Sequence, residues 1–390
     1  MFPPSDLRRV VDGLVSSLVR QSSRLWCEQT LFLVIALLLL WQGRATAEEQ
    51  PVAPTPRSVR GAILAAADVT SSRLDQLKRD DFNGVAIMLS GTTPAETTAE
   101  RDAAQRVKSA GLVLHYWIEV ARCPQLADDH PEWMASLQTH EEWRRFFPKA
   151  ATPASNEVVK TYPWVPILSR EPFAAQLDRV KGLITGKPIP DSVFLNDLQG
   201  APSACGCGNP LCRWTSDYGK RRTTTPLADD AATLFVNAVK KVTPTSTVVP
   251  VWTTECEEHD GAADGQCAGV GCFTGICWKA YTKQLAPLEQ VSDQLGVLVP
   301  YRAFHRDAPR YGEEAGWVNH AVESFARMPP RNGGRPIEAA RLVTVLQGWD
   351  VSPQQISAQI QRSGESGAAG YLVAFTKLDQ SWSPKIVSWR

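Results

Sequence analysis

Eight short apolar runs, each closed by turn residues, govern what this chain can fold into. They lie at 58–66, 82–89, 111–118, 191–197, 245–253, 295–301, 341–348 and 370–375. Several are apolar almost throughout, as in GVAIMLS, LGVLVPY and AAGYLVAF. A strand buried on both faces has this composition, and parallel sheets produce such strands. Good helix formers fill the gaps at 95–110, 226–242, 278–291, 314–327 and 353–362. Ser352 followed by Pro353 reads as a helix cap and first helical residue. Eight β-then-α units predict an α/β chain folded as a (β/α)8 TIM barrel. A doubly wound open sheet is the competing topology. It would carry a glycine-rich phosphate turn after the first strand, and AAADVTSSR has no G-x-G-x-x-G.

The chain before the first run reads as a leader. Arg8, Arg9, Arg20 and Arg24 precede an apolar stretch from Leu31 to Trp41, and Ala45-Thr46-Ala47 follows. A basic segment, about ten apolar residues and a small-x-small site are the parts of a secretory signal. An uncleaved membrane anchor is the alternative, although a span needs about 20 apolar residues. The expected division is 1–47 signal peptide or anchor, 48–57 Pro-rich linker (EEQPVAPTPR) and 58–390 barrel. The protein is expected to be exported, touching a membrane only through an uncleaved leader. Lys+Arg and Asp+Glu are both 41, so no basic excess points to nucleic acid.

Three gaps are too long for simple barrel turns. Residues 119–190 separate the third and fourth runs; 200–224 and 255–277 follow the fourth and fifth. In a barrel these loops all open on one face, where active sites lie. They hold eight cysteines: Cys123, Cys205, Cys207, Cys212, Cys256, Cys267, Cys272 and Cys277. An even set in an exported chain predicts disulfides that pin the loops after strands three, four and five. A zinc or iron–sulfur site is the alternative, but the spacing lacks two separate C-x2-C pairs. No cofactor fingerprint and no G-x-S-x-G elbow is present.

Acids stand at the ends of the runs: Glu119 after the third, Asp197 after the fourth, Glu255 after the fifth and Asp350 after the seventh. An acid there can point into the shared mouth, or it can simply cap the helix that follows. Paired carboxylates suit hydrolysis of an acetal, one giving a proton while the other attacks or activates water. Aromatic residues recur at the same height: Trp117, Trp252, Tyr301 and Trp349. A flat apolar ring with a polar rim suits the C–H face of a sugar, and equally suits packing in the barrel top. Two-residue alternation puts His115 and Trp117 on the same side as Glu119. His115 then lines the cleft floor or sits in the core as a structural histidine.

The segment GLVLHYWIEVARCPQLADDHPEWMASLQTHEEWRRFFP at 111–148, with FLNDLQGAPSACGCGNPLCRW at 194–214, resembles secreted bacterial glycosyl-hydrolase-like TIM-barrel proteins. The resemblance implies a sugar-active barrel over about 58–380. Retaining barrel glycosidases carry Asn-Glu after the fourth strand and Glu after the seventh. Here Asn196-Asp197 and Gln347-Gly348-Trp349-Asp350 stand in those places, each acid one methylene shorter. The expected site is therefore Asp197, Asp350 and Glu255 for catalysis. Glu119, His115, Trp117, Asn196, Trp252, Tyr301 and Trp349 would bind a poly- or oligosaccharide, with no cofactor and no metal. A carbohydrate-binding barrel without catalysis is the second reading.

Overall fold

The computed structural model describes residues 58–91, 93–134, 144, 147–167, 170–198, 231–253, 291–299, 314–327, 337–378 and 383–388. All eight predicted strands form. They are β1 (Arg60–Ala65), β2 (Gly84–Met88), β3 (Val113–Glu119), β5 (Ser192–Asn196), β6 (Thr247–Thr253), β7 (Leu295–Val299), β8 (Leu342–Gln347) and β9 (Gly370–Ala374). All neighbours are parallel, and β9 pairs back onto β1, which closes the ring β1-β2-β3-β5-β6-β7-β8-β9. The barrel expected from the β-then-α alternation is thus the observed one.

Helices pack outside. They are α1 (Ser71–Arg79), α2 (Pro94–Ser109), α3 (Pro124–Asp129), α4 (Arg170–Ile184), α5 (Ala231–Val242), α6 (Gly316–Arg327) and α7 (Pro353–Glu365). Ser352 caps α7 as predicted and shares a reciprocal capping box with Gln355. Thr93 and Glu96 make the same device at α2. Neither α1 nor α4 was evident as a helix in the sequence. Among the described residues no helix is long and apolar enough to cross a membrane. The leader and linker lie outside the described residues.

Alternation divides the strands into two cores. Leu64, Ile87, Tyr116, Leu195, Val297 and Leu346 face the helices. Ile63, Ala86, Trp117, Phe194, Val251, Leu298, Val345 and Leu372 fill the barrel. Space inside is made by glycine. A Cβ on Gly84 would lie 2.9 Å from His115 Nε2, and one on Gly370 would lie 2.3 Å from the Val59 carbonyl oxygen.

The 119–190 insertion holds more structure than its sequence announced. Its strand β4 (Glu157–Tyr162) pairs antiparallel with β10 (Ser383–Ser388), forming a separate two-stranded sheet. Around α3 and a following 3-10 turn at Pro131–Trp133, Met134 and Val165 make a small apolar cluster with Tyr162 and Val387. Cys123, one of the expected disulfide set, is buried and has no disulfide partner among the described residues. It sits at the start of α3, where its backbone N–H donates to the Pro163 carbonyl oxygen at 3.1 Å. The other seven loop cysteines lie outside the described residues.

Candidate active site

The C-terminal end of β3 is the best-defined corner of the mouth. Glu119 pairs in register with Asn196 of β5. Trp117 Nε1 donates to Glu119 Oε1 at 2.6 Å, and Asn196 Nδ2 donates to Glu119 Oε2 at 2.8 Å. Both carboxylate oxygens are therefore aimed by neighbours fixed in the barrel wall. Trp117 is itself locked, stacked on Phe194 with ring centroids 6.3 Å apart and planes 22° apart. Behind the strand, Arg179 of α4 donates through Nη2 to the Glu119 and Val120 carbonyl oxygens, at 2.6 and 2.9 Å. Its Nε bonds Gln176 Oε1, and Gln176 Nε2 donates to the Val165 carbonyl oxygen. Burial lowers the Arg179 pKa, opposed by the nearby Cys123 and Glu119. Nothing in the sequence of α4 marked Arg179 as the residue that would anchor Glu119.

Asp197 follows Asn196 directly and is buried, with φ at +58°. Asp350 has φ at +53° and is exposed. The left-handed region costs an ordinary L-residue roughly 1–2 kcal/mol, and Asp and Asn are the non-glycine types that enter it most readily. Two of the three acids expected to be catalytic thus sit on sharp left-handed turns at the ends of barrel strands. The turn before Asp350 is held from several sides. Gly348 N–H donates to the Ala374 carbonyl oxygen at 2.9 Å, and a Cβ there would meet that oxygen at 2.8 Å. Gln347 Nε2 donates to the Trp349 carbonyl oxygen, and the Gln347 backbone exchanges two hydrogen bonds with the Gln359 side chain of α7. In the ring β5 and β8 are separated by β6 and β7, so the two acids rise from strands well apart around the rim.

The aromatic residues are less open than platforms need to be. Trp117 is 0% exposed and Trp349 8%, and both belong to the cluster that fills the barrel. His115 lies two positions below Trp117 and is buried, with its ring edge-on to Phe194 at 5.7 Å. Its pKa is lowered to about 4, chiefly by burial, against a smaller opposing effect of Asp191. His115 is thus sealed beneath the Trp117 layer. Trp252 lies in β6 opposite Val297, but its side chain is outside the described residues, as are Glu255 and Tyr301. Among the described residues no group of three or more His, Cys, Asp or Glu is placed to hold a metal ion.

No family model matches this chain, and no curated protein matches it in sequence. The chain is similar to α-L-fucosidase isoenzyme 2 from Paenibacillus thiaminolyticus, with 12% identity, 83% of this chain and 47% of that chain covered, and a TM-score of 0.42. It is similar to a chitinase from Chromobacterium violaceum, with 8% identity, 80% and 93% covered, and a TM-score of 0.41. An aldolase, QR15, is similar at 9% identity, with 82% and 91% covered and a TM-score of 0.35. The chain spans about half the length of the fucosidase. Function is argued from the site, since a fold does not by itself imply a function.

Proposed function

We propose that the protein is an exported glycoside hydrolase working at the C-terminal mouth of its barrel. The observation that supports this most is the Glu119 carboxylate, aimed by Trp117 and Asn196 beside the buried Asp197. In this reading Asp197 donates a proton to the glycosidic oxygen as the C–O bond breaks. Asp350 or Glu255 attacks the anomeric carbon or activates the water that does, and Glu119 holds a sugar hydroxyl. A retaining enzyme needs its two carboxyl groups about 5 Å apart, and an inverting one needs about 6.5–9.5 Å.

The test is purified protein lacking the leader, incubated with a polysaccharide panel and assayed for released reducing ends. Hydrolysis of at least one substrate is expected, with a loss of about 10²–10⁴-fold in Asp197→Asn. Unchanged activity in Asp197→Asn removes that residue from the mechanism. Binding without hydrolysis selects the second reading, a non-catalytic carbohydrate-binding barrel. The exposed position of Asp350 and the closed faces of Trp117 and Trp349 favour that alternative.

A further inference from the structure

The wall beside Glu119 belongs to two distant parts of the chain. One part is the third-strand insertion. It continues β3 upward: Val165 N–H donates to the Ala121 carbonyl oxygen at 2.8 Å, Cys123 N–H to that of Pro163 at 3.1 Å, and Arg122 bridges Trp164. The other part is β10. It pairs with β4 along its whole length, from Ser383 opposite Tyr162 to Ser388 opposite Glu157. Lys385 fastens it from the side, with Nζ 2.8 Å from Asp128 Oδ1 of α3 and 4.9 Å from the centre of the Tyr162 ring. The hydrogen bond from Lys385 holds the Asp128 carboxyl below its usual range.

The root of β10 is elsewhere. Leu378, four residues after β9, is buried in the cluster that also holds Trp117 and Trp349. Between β9 and β3 the ring places β1 and β2, three strand spacings or about 14 Å. The five residue steps from Leu378 to Ser383 reach at most about 17 Å. Leu378 beside the eighth barrel strand and Ser383 on the wall of the third are therefore two ends, close in sequence, held at different sides of the ring.

This end of the chain is fastened firmly at its root and lightly at its tip. Leu378 is 3% exposed, whereas every residue of β10 is partly or fully exposed, and its apolar hold is Val387 on the small cluster of the insertion and the pairing with buried Val158, Val159 and Thr161 of β4. Pro384 lies within the strand, as suits an edge that cannot extend its pairing. The ion pair at Lys385 is exposed on both sides and screened by water. Few buried contacts and an exposed hydrogen-bond ladder are the marks of an element that opens locally.

We propose that β10 is a detachable strap: paired, it clamps the third-strand insertion beside Glu119; released, it frees that side of the mouth while the barrel stays folded. The strap gives the proposed hydrolase a wall that can yield to a long chain. Its own test needs no substrate, so it stands or falls apart from the catalytic reading.

Amide hydrogen exchange read by mass spectrometry compares the full chain without its leader, the same chain ending at Leu378, and full-length Lys385→Glu. In the truncated protein, peptides covering 120–123 and 157–165 should exchange about tenfold faster, with those of β1 and β8 unchanged. Lys385→Glu should move the same wall peptides severalfold in the same direction, because it sets a carboxylate against Asp128. The buried Cys123 thiol should also react faster with a thiol reagent in the truncated protein, read on its own peptide. Wall peptides unmoved in both variants would overturn the proposal. So would equal acceleration of β1 and β8 or loss of folding on truncation, since the strand would then be part of the barrel.

Discussion

His115 ties the barrel's stability to pH. Among the described residues neither of its ring nitrogens has a hydrogen-bond partner, and its pKa in the folded protein lies near 4 against 6.5 for the free side chain. The unfolded chain therefore binds the proton more readily. The neutral form stabilises fully above pH 6.5, and that contribution drains away as the pH falls through 6.5 toward 4, at about 1.4 kcal/mol per unit. Urea unfolding at pH 7 and pH 5 should show the loss, and His115→Leu should flatten that part of the profile. An unchanged slope in the variant would place the sensitivity elsewhere. Trp117 makes a second residue-scale prediction. Replacing it with Phe keeps a ring against Phe194 but removes the donor 2.6 Å from Glu119. A hydrogen bond to a charged group contributes about 1.5–3 kcal/mol, so the urea midpoint should fall accordingly. Alternation in LHYWIEV made the shared side of His115, Trp117 and Glu119 legible. It did not show their depth, which depends on Phe194 from the next strand closing over the histidine.

At the scale of elements, the loop after β2 is fastened from behind. Glu100 of α2 accepts from the Ser90 and Gly91 N–H groups at 2.7 Å each and pairs with Lys187 at 3.2 Å. Both side chains are nearly inaccessible, at 4% and 1%. Glu100→Gln leaves the ammonium buried without its counter-charge, which costs about 3–5 kcal/mol for buried pairs. A calorimetric scan should show a large fall in Tm, and a change of a degree or less would mean that water reaches Lys187. The eight barrel strands were legible because burial on both faces leaves an uninterrupted apolar signature. The pair β4 and β10 was not. EVVKTY and SPKIVS are partly exposed, carry Lys and Pro, and meet partners far away in sequence. Helix α1 escaped notice because its apolar positions are sparse, with Leu74 and Leu77 alone buried.

For the whole molecule, barrel closure makes the ends of eight strands into one rim, and that rule alone sets Glu119, Asn196, Asp197 and Asp350 at strand ends on it. It could not tell which way each side chain turns. Asp197 and Asp350 stand on left-handed turns, the second beside the backbone that Gln359 holds at Gln347. The interior also sets a limit on substitution. Gly84→Ala would drive a methyl group into His115, an overpacking that costs about 1–3 kcal/mol and should appear as a lower urea midpoint with the barrel intact. The account's central claim is that the acids on this rim act together on a sugar. Its most direct test is a crystal structure of Asp197→Asn with a bound oligosaccharide. The account predicts a glycosidic bond between residues 197 and 350, carboxyl positions about 5–9.5 Å apart and a sugar hydroxyl on Glu119. A sugar bound away from the rim, or acids more than about 12 Å apart with nothing between them, would contradict it.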